Sequence, residues 1–394
     1  MARRALVAGA GIGGLTAALA LARENFRVDI FERAPVLEEF GAGLQLTPNA
    51  TRVLRRLGVL EAVGALATAP RAIRILRGGD GAELTRLPIE EAERRWGAPY
   101  LVIHRADLQR ALAEAAARLP EVALHLGAEV AGVGADAGGV SIGLKRGLIA
   151  MREAGEVLVG ADGLRSRVRE RIGLGAADAA RFSGRAAFRA TVEADKVAAR
   201  ARAAEVTLRL GAKAHLVHYP LREGRIVNLV AVIESTWRGE KSDHPWDGAA
   251  DRPALDRAFH DWSQDARALI GAADHWRAWP LMVRPPIAQF SLGRIALLGD
   301  AAHPMAPFLA QGAAQAIEDA DALARRLAEI PDVGEALAAY STDRVGRATR
   351  VQRDALAQGR LYHLSGPLAL ARDLTMRALG PRRLLRRYDW LYAG

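Results

Sequence analysis

Residues 4–32 read RALVAGAGIGGLTAALALARENFRVDIFE, and this stretch decides the fold. Arg4–Ala8 is short and apolar, as expected of a buried strand, and the spacing predicts a helix from about Gly13 to Glu24. Between the two lies the glycine-rich loop of residues 9–14. A strand, a glycine-rich turn and a helix in this order are typical of a dinucleotide-binding βαβ unit.

Each glycine of this loop has a physical task. Gly9 can take the tight turn, Gly11 lets backbone amides approach a pyrophosphate, and Gly14 lets helix and strand pack closely. From Gly13 onward the helix N-terminus offers free N–H groups and a partial positive charge to phosphates. A Gly-x-Gly-x-x-Gly loop alone, however, is weak evidence for any particular ligand.

An acidic residue in the expected place strengthens the interpretation. The next strand, Arg27–Phe31, ends at Glu32, about 20 residues after the loop, where a carboxylate can accept both ribose hydroxyls of an adenosine. Arg33 follows at once and is included among the cofactor contacts. These residues predict an adenine dinucleotide, and by themselves they leave FAD and NAD open.

The same region needs a second interpretation, because residues 5–22 carry no charge and follow two arginines. That length approaches a membrane span, and the start is similar to a signal sequence. Four glycines within six positions would weaken a helix, and the charged pair Arg23 and Glu24 follows. We therefore favour a buried strand, turn and helix, and we expect a cytoplasmic protein.

Composition excludes several classes of function. The chain has 394 residues and no cysteine, which excludes disulfides, thiolate catalysis and zinc sites built on sulfur. The net charge of +10 is spread over many segments, so solvated arginines or an anionic small substrate are favoured over nucleic acid. The basic end at residues 381–392 allows a membrane-surface helix, although a terminal helix packed on the core is the favoured interpretation.

Two further segments choose between the cofactors. Residues 158–169 contain Asp162-Gly163 followed by Ser166 and Arg169, and residues 293–312 contain Gly299-Asp300 followed by His303 and Pro307. Together with the N-terminal loop, these resemble the aromatic-ring hydroxylase family of single-component FAD monooxygenases. Segments 41–50 and 388–392 are similar to its salicylate hydroxylase and 6-hydroxynicotinate 3-monooxygenase branch.

The resemblance implies roles for individual residues. Asp300 would hold ribityl or ribose hydroxyls of FAD, and the helix starting near Gly312 and Ala313 would face the flavin's pyrimidine edge. Arg105 would reach the FAD phosphates, with a solvated helix-start arginine as the alternative. Asp162 would contact the cofactor and NAD(P)H, with a turn residue as the alternative. His303 has a similar alternative, as a packed turn histidine.

The resemblance also implies the chemistry. NADH or NADPH would reduce the flavin, O2 would form a C4a-hydroperoxyflavin, and one oxygen would pass to a small aromatic acid or phenol. No second glycine-rich nucleotide fold is visible in the sequence, in keeping with a reductant that binds transiently.

Short alternating runs predict the substrate region. From about Phe182 to Glu234 they indicate an antiparallel sheet, whereas strand–helix alternation to about Asp80 and again over residues 100–173 indicates a mostly parallel one. The predicted class is therefore α/β: a discontinuous Rossmann-like FAD-binding domain with an inserted, mainly antiparallel substrate domain and a helical C-terminal region. The predicted segments are 1–70, 101–180 and 281–394 for the FAD-binding domain with its C-terminal helices, and 71–100 and 181–280 for the substrate domain.

The candidate catalytic pair lies on one predicted strand. His215 and Tyr219 are four residues apart and so share a face, a spacing similar to that of the 6-hydroxynicotinate branch. Such a pair can orient a ring hydroxyl and remove its proton. Phe308 stands where some relatives carry a polar residue and is expected to stack on an aromatic substrate. Gln45 is expected near both substrate and cofactor.

Two alternatives to this function stay open at this level. The substrate can instead be larger, polycyclic or quinone-like, which Phe308 favours. The protein can also be an NAD(P)H-oxidising flavoprotein that makes only peroxide. The sequence allows a monomer or a homodimer, and it predicts no metal, no nucleic acid and no stable membrane insertion.

Overall fold

The structure is a computed structural model that describes residues 3–37, 43–136, 138–147, 149–173, 178–236 and 251–393. Gly41 and Ala42, which belong to the segment similar to salicylate hydroxylases, lie outside these ranges. Among the helices in these ranges, none is long and apolar enough to cross a membrane.

Strands dominate the first three quarters of the chain. In chain order they are β1 Arg3–Ala8, β2 Phe26–Glu32, β3 Gly43–Leu46, β4 Ala72–Arg77, β5 Glu83–Pro88, β6 Leu101–His104, β7 Val122–Leu126, β8 Glu129–Ala135, β9 Val140–Arg146, β10 Ile149–Gly155, β11 Val157–Gly160, β12 Arg181–Glu193, β13 Glu205–Gly211, β14 Ala214–Leu221, β15 Ile226–Glu234, β16 Arg277–Val283, β17 Ser291–Leu292 and β18 Ile295–Leu297.

Helices connect the early strands and make up most of the chain after β18. In chain order they are α1 Ile12–Arg23, α2 Pro48–Arg56, α3 Leu60–Leu66, α4 Ala92–Trp96, α5 Arg105–Ala117, α6 Arg167–Arg171, α7 Arg252–Phe259, α8 Gln264–Gly271, α9 Gly312–Glu329, α10 Val333–Tyr362, α11 Gly366–Arg386 and α12 Asp389–Tyr392.

The first sheet has six strands in the order β17-β18-β11-β1-β2-β7, parallel except at the β17 edge. β1 lies at its centre, and Ala5–Ala8 are almost completely buried, because a parallel strand covered on both faces must be apolar throughout. α1, α5 and α9 join this sheet in one core. The expected strand and helix around the glycine-rich loop are confirmed to within one residue at each end.

The second sheet has seven strands in the order β16-β12-β15-β14-β13-β4-β5. It is antiparallel except for the pairing of β13 with β4. One face packs with the C-terminal helices and the other with α7 and α8. The mixed fold class predicted from sequence is confirmed, and the five-segment division into two domains stays our proposal.

Residues 129–155 differ from the sequence expectation. They form a three-stranded antiparallel sheet, β10-β9-β8, instead of continuing the strand–helix alternation. The physical reason is local: Gly138 and Gly139 join β8 to β9, and Gly147, at φ +60°, lies at the turn after β9. The turn residues thus favour hairpins where the hydrophobic pattern alone suggested a crossover.

The basic C-terminal end packs on the protein. Leu384, Leu391 and Tyr392 are buried, and the carboxylate of Asp389 accepts hydrogen bonds from Arg95 and from the indole N–H of Trp96. These contacts support the packed terminal helix over a membrane-surface helix.

Candidate active site

The glycine-rich loop is held by contacts that only glycine permits. Gly9 has φ +99°, and a Cβ there would lie 2.6 Å from the carbonyl oxygen of Ala161. A Cβ on Gly14 would lie 1.9 Å from the carbonyl oxygen of Gly9. β1, β11 and α1 therefore converge at this point as closely as backbones can.

Gly11 and Gly13 serve different purposes. A Cβ on Gly13 would lie 2.6 Å from Cδ1 of Leu298, so this position packs α1 against the end of β18. A Cβ on Gly11 would meet nothing within 4 Å, which leaves open space at the start of α1. The first turn of α1 carries no acidic residue and no capping side chain, so its N–H groups are available to an anion.

Glu32 is fixed beside this opening. One carboxylate oxygen accepts the N–H of Ala10 at 2.8 Å, and the other accepts the N–H of Ala34 at 3.0 Å. Each oxygen has a second lone pair that a ribose hydroxyl can use. Arg33 is exposed beside it. Gln109, which the sequence analysis missed, donates from Nε2 to the carbonyl of Ala10 at 2.9 Å.

Asp300 lies in the turn of residues 299–301, directly after β18. Its side chain is open to solvent, yet the surrounding protein raises the pKa of its carboxyl by desolvation, against the opposing charges of Arg105 and His303. The carboxylate of Asp300 thus faces solvent on one side and protein on the others, as a residue in the wall of a cleft does. The charge of Arg105 acts on both Asp300 and Arg189 of β12, which indicates that Arg105 is near both residues.

His303 supports this turn from within. Its Nε2 lies 2.5 Å from a carboxylate oxygen of Asp319, which also accepts the N–H of Gly299. Burial alone would raise the pKa of Asp319, but His303 and Arg344 hold it at about 2. This geometry supports the packed-turn interpretation of His303.

Asp162 uses its carboxylate locally. It accepts hydrogen bonds from the hydroxyl of Ser166 and from the backbone N–H groups of Arg167 and Val168, and so caps the short helix α6. Desolvation raises the pKa of this carboxyl, against those hydrogen bonds. The geometry favours the turn interpretation, and a contact to cofactor stays a prediction.

The start of α9 faces open space. A Cβ on Gly312 would meet nothing within 4 Å, and the first turn, including Ala313, has no acidic residue. Gln311 is buried and donates to the hydroxyl of Thr47 at 2.9 Å. The positive end of this 18-residue helix is therefore available to a partly anionic group.

Four features together fit an elongated dinucleotide cofactor: the free space at Gly11 and at Gly312, the fixed carboxylate of Glu32, and the carboxylate of Asp300, which has no hydrogen-bond partner among the described residues. Space beside the helix N-termini suits pyrophosphate and flavin, and the two carboxylates suit hydroxyl donors. The described residues therefore fit FAD.

The cross-strand pairs place the predicted catalytic residues His215 and Tyr219 on one face of the seven-stranded sheet. His215 pairs through Val232 with Ala187 and Trp279, while Tyr219 pairs through Asn228 with β12. Arg189 lies on the same face, because it is two residues from Ala187. His215 and Tyr219 are confirmed as residues of one face, but four residues of strand separate them by about 13 Å.

His215 pairs with His363 instead of Tyr219. The Nε of Arg185 donates to Nδ1 of His363 at 3.2 Å, so the hydrogen of His363 is on Nε2. That Nε2 lies 2.8 Å from Nδ1 of His215, which must accept. The hydrogen of His215 is therefore on its own Nε2. It offers a donor, not a lone pair, and we revise its proposed role from general base to hydrogen-bond donor.

Phe308 lies in a buried aromatic cluster. It is 5% exposed, its ring meets those of His215 and Tyr362 edge to face, and a Cβ on Gly359 would come within 2.5 Å of it. Little of its ring is free, so the structure gives no support to stacking of Phe308 on a substrate. Its part in forming the pocket stays a prediction.

Tyr219 and Gln45 lie near the junction of the two sheets. The ring of Tyr219 closely approaches Gly43, and its hydroxyl makes no hydrogen bond with the described part of the chain. Burial raises the pKa of Tyr219 against the charge of Arg189, so it is a neutral phenol. Gln45 is half-buried and accepts a hydrogen bond from the hydroxyl of Tyr100.

Arg189 was missed by the sequence analysis. Its guanidinium lies 5.0 Å from the ring centroid of Trp279, and its Nε has no hydrogen-bond partner among the described residues. Burial lowers its pKa to about 10, so it is charged at neutral pH. The available signal was a lone arginine inside an apolar strand, Ala186 to Ala190.

The first sheet carries a dinucleotide-binding loop at the end of β1, and the second sheet carries aromatic, phenolic and cationic side chains. These features are those of FAD-dependent aromatic-ring monooxygenases, which use NAD(P)H as reductant. The chain belongs to the FAD binding domain family, whose model matches residues 3–355.

Individual relatives agree with this family. The chain is 36% identical to a 3-hydroxybenzoate 6-hydroxylase of Polaromonas naphthalenivorans, over 98% of this chain and 95% of the relative. It is 38% identical to the 3-amino-4-hydroxybenzoate 2-monooxygenase PtmB3 of Streptomyces platensis, over 99% and 95%. A salicylate hydroxylase solved as a substrate complex superposes with a TM-score of 0.83, at 26% identity over 100% and 96%. The resemblance to this family is confirmed.

Proposed function

We propose that this chain hydroxylates a small benzoate that carries a hydroxyl or amino group on its ring, with FAD, NAD(P)H and O2. The relatives named above act on such acids, which motivates the class of substrate. The observation that carries the proposal is Arg189, a charged guanidinium without a carboxylate partner among the described residues, on the same sheet face as Tyr219.

Arg189 suits the carboxylate of such a substrate. A guanidinium binds a carboxylate through two parallel hydrogen bonds, and the bond strengthens where water is excluded. Trp279 beneath the guanidinium fixes its plane and adds apolar surface for the ring. An anionic substrate would supply the negative charge that pairs with the guanidinium of Arg189.

Tyr219 and His215 would act on the ring substituents. The free hydroxyl of Tyr219 can accept a hydrogen bond from the ring hydroxyl or amine, and the Nε2–H of His215 can donate to an oxygen that becomes negative. When bound, FAD would supply the redox chemistry: two electrons from NAD(P)H would reduce O2, one oxygen atom entering the ring and the other leaving as water. The chain's own residues bind, orient and shield the substrate.

The test is an assay of the FAD-loaded protein with NADH and NADPH separately. Substrates are 3-hydroxybenzoate, 3-amino-4-hydroxybenzoate, the matching phenols without a carboxyl group, and one polycyclic phenol. We expect a benzoate to accelerate NAD(P)H oxidation and to yield a hydroxylated product. Peroxide without product would instead support an uncoupled oxidase, and turnover of the polycyclic compound alone would exclude a benzoate.

Arg189 variants sharpen the test. For Arg189→Gln we expect KM for the acid to rise at least about tenfold, the size of one charged hydrogen-bonded contact, with FAD content unchanged. Arg189→Lys keeps the positive charge, so its KM for the acid should rise less than that of Arg189→Gln. Arg225→Gln, an exposed arginine at the β14–β15 turn, is the matched control. Equal KM in all four proteins would remove Arg189 from substrate binding.

We also propose that the protein works in the cytoplasm as a monomer or homodimer. Light scattering of the FAD-loaded protein distinguishes these from larger assemblies, and fractionation of expressing cells tests the compartment.

A further inference from the structure

A second cavity lies on the opposite face of the seven-stranded sheet. Its floor is a row of side chains across three strands, because Thr207 of β13 pairs with both His218 of β14 and Arg74 of β4. Neighbouring Leu208 points to the other face and packs in the same cluster as Tyr219. The cavity is therefore separated from the substrate-side face by the thickness of the sheet.

The cavity is small, with a buried floor and an exposed rim. Its volume is about 130 Å³, and its roof is formed by residues 196–201 and by α8. Thr207, Arg209 and His218 of the floor are buried, whereas Lys196 and Arg200 at the rim are largely exposed. Sites that take a whole organic ligand have roughly 300–1,000 Å³. An ion therefore fits better than a substrate or an intact nucleotide.

The lining is basic, and one of its cations is unpaired. Arg74 pairs with Glu83 and Glu205, Arg200 with the lining carboxylate Asp265, and Lys196 with Asp274. Arg209 has neither a hydrogen bond nor an ion pair with any described residue.

Arg209 is directed into this space. It is 4% exposed, its Nε has no partner, and its Nη1 lies 4.0 Å from where a Cβ of Gly81, another lining residue, would be. Burial lowers its pKa to about 10, assisted by the charges of Arg200 and Arg74, so it is positive at neutral pH. A buried cation facing other cations requires a compensating negative charge.

We propose that this cavity binds a small oxyanion of the phosphate type, held by Arg209 on the floor with Arg74, Arg200 and Lys196 around it. Thr207 can donate its hydroxyl to the same ion. The ion would connect β13 and β14 to the roof, and it would stabilise the sheet from the face opposite the substrate. The phosphate can be free or belong to a nucleotide whose remainder stays outside. The site does not depend on the proposed reaction.

The test measures the melting temperature of the FAD-loaded protein during titration with inorganic phosphate at constant ionic strength. Binding to the folded state raises Tm with ligand concentration by mass action. We expect a saturating rise for the natural protein and none for Arg209→Met. We also expect Arg209→Met to be at least as stable as the natural protein without phosphate, because it removes an unpaired charge.

Further ligands distinguish free phosphate from the phosphate of a nucleotide, and further variants show whether a lost response comes from misfolding. Arg209→Lys, which keeps the charge, should retain part of the response, and Arg225→Gln should respond fully. A rise with NADPH but not NADH that Arg209→Met abolishes would assign the phosphate to the nucleotide. The proposal is overturned if the natural protein does not respond to phosphate or NADPH, or if Arg209→Met responds equally.

Discussion

The Nε2 of His363 donates a hydrogen bond to Nδ1 of His215 across 2.8 Å and so ties the C-terminal end of α10 to the start of β14. Both histidines are buried, and Arg185 lies beside them. Desolvation lowers the pKa of His215 well below its usual value and that of His363 to about 3, assisted by nearby positive charge. The pair is neutral in the folded protein.

This pair should make stability fall as the solution becomes acidic. Below about pH 6.5 the unfolded chain protonates each histidine, whereas the folded chain does not until about pH 3 at His363. Because the unfolded state binds more protons, His363 contributes a loss that approaches about 1.4 kcal/mol per pH unit within that window, and His215 adds a loss in the same direction. Urea denaturation from pH 7 to 5 measures the slope.

In His363→Gln the glutamine amide can still donate a hydrogen bond to His215. The variant lacks the imidazole that takes up a proton on unfolding, so the pH dependence of its stability should decrease by the contribution of His363. His275→Gln, at an exposed position, is the matched control. If the stability of His363→Gln depended on pH as strongly as that of the natural protein, His363 would not be the neutral, buried group described here.

The two loop glycines Gly14 and Gly11 should respond oppositely to alanine. Gly14→Ala places a methyl group 1.9 Å from the oxygen of Gly9, so we expect poor folding or a stability loss of at least about 2 kcal/mol. Gly11→Ala meets no protein atom within 4 Å. It should fold normally and lose FAD, because the methyl group fills the space for the pyrophosphate. Thermal melts of the FAD-free proteins measure the effect on folding, and flavin fluorescence measures FAD binding. Normal FAD binding by Gly11→Ala would contradict a pyrophosphate position beside Gly11.

Asp300→Ala should weaken FAD binding without harming the fold. A charged hydrogen bond contributes about 1.5–3 kcal/mol, so the Kd of FAD should rise about 10- to 100-fold. The FAD-free variant should be as stable as the natural protein, because this carboxylate has no hydrogen-bond partner among the described residues and its pKa is raised by desolvation. Fluorescence titration of deflavinated protein gives Kd. Asp354→Asn on the surface of α10 is the control, and equal Kd values would remove Asp300 from the cofactor site.

Asp162→Ala should affect the fold first. Two backbone N–H groups at the start of α6 and the hydroxyl of Ser166 lose their acceptor, at a cost of roughly 1–2 kcal/mol. Urea denaturation of the FAD-free variant measures it. Unchanged stability together with weaker FAD binding would instead support direct contact to the cofactor.

The sequence predicts some parts of this molecule better than others, for physical reasons. Gly14 and Glu32 follow from it because Gly14 meets Gly9 and Glu32 accepts the N–H of Ala10, all within one βαβ unit. The partner of His215 does not, because His363 is 148 residues away in the sequence and reaches it only through tertiary packing. Arg189 looks like any other arginine until strand pairing places it beside Trp279.

The hairpin of β4 and β5 has a consequence for synthesis. β4 takes its second neighbour, β13, from a part of the chain that begins only at Glu205. At about 5–20 residues per second, the ribosome delivers that neighbour on the order of ten seconds later. Until then the hairpin presents an open edge strand, which is prone to pair with other chains. The growing polypeptide therefore has a period of vulnerability in which a chaperone, slower translation or lower temperature should improve the yield of the folded protein.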